Sequence, residues 1–372
     1  MFKKRMAVAL TAAWLATLCV IAAAETTTLT GDAKSVMPQK TLAEGSVLDG
    51  NGYAVEELAE FRDQTGITMQ NFSGIGALSV VRSSMTVKNC RNIKRVSMGN
   101  DAELTLDNVA FAENASFRQQ GTLVIPNQDI ITNIQYQLSS GSLVNNGIFM
   151  AAYPHISATD GSSATVTGNG GFLGGVRLWA TSDSTIEFNQ RADSLRLTVA
   201  NLGETTGQQG HIDIGGRMDS IAVLFEAGCE IPITISARDV NELRIRYIDE
   251  SVSEELSPEE ALDLALAATA CIDYSRVTGK NGQSPAVSLT VEKGENVFLF
   301  EYLMSFEPGA SPELTEEDIA LDAWFDGVRF GDTQTGSEAE AGANSSGAAP
   351  RATRTPRPDS TPQPTRTPRS DG

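Results

Sequence analysis

The amino-acid sequence predicts an all-β protein, a solenoid of about ten coils with about 20 residues in each. Three observations indicate this fold class. Apolar and polar residues alternate in short stretches, asparagine recurs at a fixed interval, and only 20% of the residues are charged in a chain that contains 33 glycines. Alternation with a period of two is typical of a half-buried strand, and its regular recurrence along the chain is typical of stacked coils.

The repeat is clearest in four segments that align without gaps. Each segment ends in an asparagine, and these asparagines are 19 residues apart, at Asn89, Asn108, Asn127 and Asn146. The residues two and four positions before each asparagine are apolar, with the single exception of Ser142. One short strand per coil, followed by an asparagine at a corner, explains both features, because asparagine tolerates left-handed backbone and forms local hydrogen bonds.

This alignment predicts a register for the core. We expect equivalent apolar residues of successive coils to stack in one inward column, formed by Val87, Leu106, Ile125 and Val144. The four asparagines would stack at one corner as a structural ladder. Weaker copies of the pattern extend the predicted solenoid over residues 45–250.

Two segments resemble a known family. Residues 46–53 (SVLDGNGY) and 104–111 (LTLDNVAF) are similar to coils of right-handed parallel β-helix proteins of the pectin-lyase-like superfamily, in particular its adhesin-like secreted members. The resemblance covers about residues 45–250 and implies a right-handed parallel β-helix. That superfamily also includes polysaccharide lyases, polygalacturonases and autotransporter passengers, so the fold alone does not decide the function.

The amino terminus has the three parts of a secretory signal. Basic residues at positions 3–5 precede an apolar run, and an alanine triplet that ends at Ala24 offers a cleavage site. We expect residues 1–24 to be removed as a signal peptide, and the mature protein to be secreted or associated with the cell envelope. An uncleaved membrane anchor is the alternative. No later segment is apolar enough to span a bilayer.

Both ends of the solenoid need a cap, because an open end exposes an unpaired strand edge. At the start, residues 25–44 lead into the first coil, and the helical spacing of Leu58 and Phe61 predicts a short helix over Val55–Arg62.

Residues 251–332 are predicted to form an α+β cap or an appended module. Ser257, Pro258 and Glu260 have the positions of an N-cap, a first helical residue and a capping-box glutamate, which predicts a helix that runs to about Ile272. Leu262 and Leu266 would lie on one face of it. The remaining pattern indicates strands over 286–291 and 296–302 and a second helix over 315–325.

Residues 333–372 differ from the rest in composition. Large apolar residues are missing from 333–349, the sequence RTPR occurs at 354–357 and again at 366–369, and residues 351–372 contain five arginines and two aspartates. Such a segment cannot bury a core. We predict a disordered tail whose basic end contacts an anionic polymer of the cell envelope.

The formal net charge is −19, and it becomes −22 once the three basic residues of the signal are removed. An acidic body of this kind argues against binding of nucleic acid or of an anionic membrane. Cys90, Cys229 and Cys271 remain after cleavage, and their odd number leaves either single thiols or one Cys229–Cys271 bridge. With His155 and His211 as the only histidines, no zinc site is expected.

No catalytic constellation stands out from the sequence. His211 and Asp213 are weak candidates, because alternate residues of a strand project from one face and an imidazole beside a carboxylate can act as a general base. The motif set that polygalacturonases use is missing, and the acids that a calcium-dependent lyase would need are scattered. We expect no cofactor, with Ca²⁺ as the one ion that these acids would suit.

The main concentration of aromatic residues predicts a binding surface. Tyr153, His155 and Trp179 are the candidate binding residues, because aromatic faces can stack on sugar rings; the alternative is that Trp179 and the neighbouring Phe172 pack between coils. The sequence thus predicts a non-catalytic, adhesin-like solenoid that binds an extracellular glycan or a surface protein. A polysaccharide lyase or glycosidase of the same fold and a structural spacer are the alternatives.

Overall fold

The chain folds as an all-β parallel solenoid of about ten turns, which confirms the predicted fold class. The computed structural model describes residues 24–38, 41–132, 134–151, 154–201, 209–250, 257–279, 285–293, 298–306 and 316–330. The predicted signal peptide, apart from Ala24, and the predicted tail over 333–372 lie outside these ranges.

Each coil contributes strands to two long parallel sheets, which we name sheet I and sheet II. Sheet I contains, in stacking order, β1 (Thr26–Thr28), β3 (Val47–Asp49), β5 (Ile67–Gln70), β8 (Ser84–Lys88), β10 (Glu103–Asp107), β12 (Thr122–Ile125), β15 (Gly141–Asn145), β18 (Ser163–Thr167), β20 (Thr185–Phe188), the first half of β22 (His211–Glu226), β23 (Ile233–Arg238) and β25 (Ile272–Asp273). Sheet II contains β2 (Ala33–Val36), β4 (Ala54–Arg62), β7 (Leu78–Val81), β9 (Ile93–Met98), β11 (Phe111–Gln119), β14 (Ile134–Leu138), β17 (His155–Ala158), β19 (Gly171–Thr181), β21 (Arg191–Ala200), the second half of β22 and β24 (Glu242–Asp249). Three short strands pair beside sheet II: β6 (Gly74–Ile75), β13 (Ile130–Thr132) and β16 (Ile148–Met150).

The core lies between the two sheets, because alternate residues of every strand point inward. Aromatic rings stack through its middle coils with ring centroids 5.1 to 6.0 Å apart, in the order Phe111, Phe117, Tyr136, Phe149, Phe172 and Phe188. Phe172 therefore belongs to the core, which confirms for this residue the alternative that it packs between coils.

The predicted inward column is right for three coils and wrong for the fourth. Leu106 lies opposite Val87 where β10 pairs with β8, and the pairing of β10 with β12 brings Ile125 next in the column. Ile125 then lies opposite Asn145, and not opposite Val144. The interval between paired residues is 20 at this step instead of 19, and a shift of one residue moves a side chain to the other face of a strand.

The predicted helix over Val55–Arg62 is also wrong, because this segment is the strand β4. Ala59 and Phe61 alternate into the core, while Leu58 is only half-buried. An irregularity in the pairing of β4 with β2 lies between Val55 and Leu58. This break of the period-two pattern gave the segment its helical spacing, and pairing with the neighbouring coils determined the strand.

The carboxy-terminal helix predicted at Ser257 is confirmed as α1 (Pro258–Thr269). Glu260 N donates to Ser257 Oγ, and Ser257 N donates to Glu260 Oε2 at 2.8 Å, which completes the capping box. Leu262 packs against the core, but Leu266 is exposed. The helix lies in the chain between β24 and β25, and β25 pairs directly with β23 in sheet I.

An antiparallel hairpin covers the last strand of sheet II. It consists of β26 (Ala286–Lys293) and β27 (Phe298–Ser305), which confirms both predicted strands, and β27 pairs with β24.

The second predicted helix is α2 (Glu316–Phe330), and it lies against the flank of the middle coils. Phe325 is buried, and the guanidinium carbon of Arg191 lies 4.3 Å from its ring centre. Asp322 forms ion pairs with Arg191 and, at 2.6 Å, with Arg217. Gly171 makes room for the helix, because a Cβ at this position would come within 2.6 Å of the Phe325 ring. Neither helix of the described residues is long and apolar enough to cross a membrane.

Candidate functional site

The outward face of sheet II carries a column of basic and amide side chains. Five residues lie directly opposite one another on successive strands from β11 to β21: Arg118, Gln137, His155, Arg177 and Arg196. Their neighbours along each strand are buried, so these five point outward. Strands of a sheet lie about 4.8 Å apart, and this column, which we name the basic column, therefore extends about 19 Å along the solenoid axis.

The charge of this surface has one sign. Among the described residues, the basic column and the two registers beside it contain no acidic side chain. The residues of these two neighbouring registers are Arg95, Ser116, Gln135, Gly175, Ser194, Ser157, Trp179 and Thr198. Arg95, Arg118 and Arg196 are exposed and form no ion pair within the ranges that the structure describes.

The next basic residues on sheet II have a different environment. On β24, Arg244 is paired with Glu242 at 3.0 Å and Arg246 is paired with Glu301. Like charges that face each other across two strands destabilise a sheet. Arg177 lies directly opposite Arg196, so an anionic group bound between them would reduce the repulsion between the two guanidinium groups.

Two of the three predicted binding residues lie at this column. His155 is its third member, and Trp179 follows Arg177 by two positions, so it lies on the same face. The two rings meet edge to face with their centres 6.5 Å apart, and 46% of Trp179 is exposed. Burial and the positive charge of Arg177 lower the pKa of His155. Tyr153 lies outside the described residues.

A groove runs beside His155 on this surface. It has a volume of about 380 Å³ and is lined by Ser116, Arg118, Gln135, Tyr136, Gln137, His155 and Arg177. Guanidinium and amide groups supply most of its polar atoms. Arginine donates pairs of hydrogen bonds in a planar fork that matches a carboxylate, a sulfate or a phosphate. The groove can thus hold an anionic group, while the exposed indole of Trp179 offers an apolar face.

The weak catalytic candidates lie elsewhere, on sheet I. His211 Nε2 and Asp213 Oδ2 are 2.8 Å apart, and both side chains are partly exposed. Glu187 lies opposite Asp213 on the preceding coil. Within the described part of the chain, no group of three or more His, Cys, Asp or Glu side chains is arranged to hold a metal ion.

The corner asparagines divide into two pairs. Asn89 and Asn108 have φ of 51° and 52°, and Asn108 Nδ2 donates to Asn89 Oδ1 at 2.7 Å. Asn127 Nδ2 instead donates to Asp107 Oδ1, and Asn146 Nδ2 donates to the carbonyl of Pro126.

All three cysteines of the described chain are free thiols. Burial raises the pKa of Cys90 and of Cys229 to about 11, which keeps both thiols protonated and unreactive.

Fold and surface together define a class, a parallel β-solenoid with one basic and aromatic face. No protein-family model matches the chain, and no curated protein and no solved structure matches it. The likeness to the pectin-lyase-like superfamily and to its adhesin-like members thus stays a prediction.

The basic column was not predicted from the sequence, although one sequence feature indicates it. Arg177 and Arg196 are 19 residues apart, the interval of the asparagine repeat, and both lie between residues that are buried. An arginine that recurs at the coil interval on an outward position predicts a charged column along the axis.

Proposed function

We propose that this protein is an exported, non-catalytic β-solenoid that binds an extended acidic glycan along the outward face of sheet II. The observation that carries this proposal is the basic column with Trp179 beside it. The predicted signal peptide motivates the export, and the role is adhesin-like, in that the protein holds a glycan outside the cell without converting it.

The dimensions and chemistry of the surface suit a polymer. A column of about 19 Å can contact several consecutive sugar units, each within reach of one or two coils. The guanidinium groups would bind the acidic substituents, and the indole of Trp179 would pack against a sugar ring. The row of outward basic and amide side chains along the axis favours a binding role over that of a structural spacer.

The negative net charge of the protein does not oppose this function. Charges separated by more than about 8 Å are largely screened at physiological ionic strength, so a bound chain interacts mainly with the column itself. Acidic groups on other surfaces would discourage polyanions where they are concentrated.

The test compares a polyuronate with its carboxyl-reduced, neutral form in titrations against the mature full-length chain. Because hydrogen bonds to charged groups contribute about 1.5–3 kcal/mol, we expect Arg177→Gln and Arg196→Gln each to weaken binding of the polyuronate at least about tenfold. Trp179→Ala should weaken binding of both polymers. The affinity for the polyuronate should fall as salt is added.

The matched control is Arg276→Gln, which removes an exposed arginine from the loop after β25 and should leave the affinity unchanged. Equal binding of the charged and the reduced polymer would contradict the role of the column. Release of unsaturated or reducing ends from the polyuronate would contradict the non-catalytic assignment.

A further inference from the structure

The hairpin that closes sheet II leaves an edge strand of its own. β27 pairs with β24 on one side and with β26 on the other, whereas β26 pairs with β27 alone in the described part of the chain. Among the described residues, no second strand pairs with the outer row of N–H and C=O groups of β26, and helix α1 lies close to this strand. The hairpin covers β24, the last parallel strand of sheet II, so the edge of this sheet is now β26, two strands further out.

Most of β26 lacks the features that usually protect an edge, since its two charged residues, Glu292 and Lys293, lie at the end of the strand. Natural edge strands carry charges, prolines or bulges that prevent pairing with another chain. The first six residues of β26, AVSLTV, contain none of these, and they are rich in residues with high β-propensity. Val287 is 52% exposed and Leu289 is 48% exposed.

The strand is complementary to itself. In an antiparallel pair centred on Leu289, this residue faces its own copy, Val287 faces Val291, and Ser288 faces Thr290. Apolar residues then meet apolar residues on one face, and hydroxyl groups meet on the other. Glu292 faces Ala286, so the two glutamates do not oppose each other. If the twofold axis of the pair instead lay between two residues, apolar side chains would face polar ones.

We propose that two copies of this chain pair antiparallel through β26, with Leu289 on the twofold axis. Such an interface is closed, because the same strand serves both partners and β26 keeps no free edge for a third copy. Sheet II becomes continuous through the pair, which places two basic columns on one sheet. A ligand long enough to reach both columns would gain from the raised effective concentration.

Single cysteines test the register on the full-length chain. Under oxidised glutathione, Leu289→Cys should form a disulfide-linked dimer, because its two copies lie directly opposite each other. Val287→Cys should not, because its copies are offset by four residues, about 13 Å, which exceeds the reach of a disulfide. An equal mixture of Val287→Cys and Val291→Cys should give the crosslinked heterodimer. The wild type, with its native cysteines, provides the baseline.

Sedimentation equilibrium tests association without a crosslink. The wild type should show a concentration-dependent dimer that salt strengthens, because two acidic bodies repel each other, and Leu289→Lys should be monomeric. Ile319→Lys is the matched control, since Ile319 is 55% exposed on α2, and it should dimerise like the wild type. A wild type that is monomeric throughout, a crosslink as efficient with Val287→Cys alone, or open aggregates in place of dimers would each overturn the proposal.

Discussion

The inward column of side chains is apolar in the coils around Leu106 and polar in the coils around Asn145. From β8 to β12 the column is apolar, with Val87, Leu106 and Ile125, and the asparagines lie at the corners. From β15 onward the column continues with Asn145, which is fully buried. One residue type therefore has two roles, and the side of the strand on which it falls decides which.

The buried asparagine is stable because both its side-chain nitrogen and its side-chain oxygen are hydrogen-bonded. Asn145 Nδ2 donates to Gln190 Oε1 at 3.0 Å, and Asn145 Oδ1 accepts from Gly147 N at 2.8 Å. Gln190 Nε2 donates to the carbonyls of Asn145 and Thr167. The two side chains reach each other across Gly168, where a Cβ would come within 2.2 Å of the Asn145 carbonyl. Buried polar groups are tolerated only in such satisfied networks.

The comparison predicts that the apolar coils are the more sensitive to loss of volume. Leu106→Ala should lower the free energy of unfolding by about 2–5 kcal/mol, because Leu106 is buried and its loss leaves a cavity. Denaturant unfolding measures this, with Thr105→Ala on the outward side of the same strand as the control, expected within about 0.5 kcal/mol of the wild type. A loss for Leu106→Ala no larger than that of the control would show that this column does not hold the coils together.

In the polar coils, the cost should come from a hydrogen bond left without its partner. Gln190→Leu should lower the free energy of unfolding by about 1–3 kcal/mol, because Asn145 Nδ2 stays buried with no acceptor. Combination with Asn145→Leu should recover part of this loss, which a double-mutant cycle measures. Strictly additive effects would mean that the two amides do not stabilise each other.

At the corners, the loss of stability should be smaller and should depend on whether the new residue tolerates a positive φ. Asn108→Ala is expected to cost about 1 kcal/mol, because alanine is strained at the positive φ of this residue and loses the bond to Asn89. Asn108→Gly should cost less, since glycine adopts this conformation without strain. Thermal unfolding of both variants tests the order, and equal destabilisation would assign the effect to the side-chain bond alone.

Much of the architecture was predictable because it depends on residues that are close in sequence. The capping box at Ser257, the strands of the hairpin and the coils from β8 to β12 all follow local patterns. The candidate site was reached only in part from the sequence: His155 and Trp179 were proposed as aromatic binding residues, whereas the three arginines beside them were not predicted to bind a ligand. An arginine at an outward position looks like any solvated residue until the neighbouring coils are aligned.

The sequence by itself determined that the chain forms stacked parallel coils, because alternation and turn residues are encoded within each short segment. Only the tertiary structure decided which residues share a column. Paired strands are 19 residues apart between β10 and β12 but 26 apart between β20 and β22. Side chains alternate with a period of two, so one added residue in a loop exchanges the inward and outward faces of the strand that follows. That shift placed Asn145 inside instead of Val144, and loop lengths of the same kind aligned Arg118, His155, Arg177 and Arg196 on one surface.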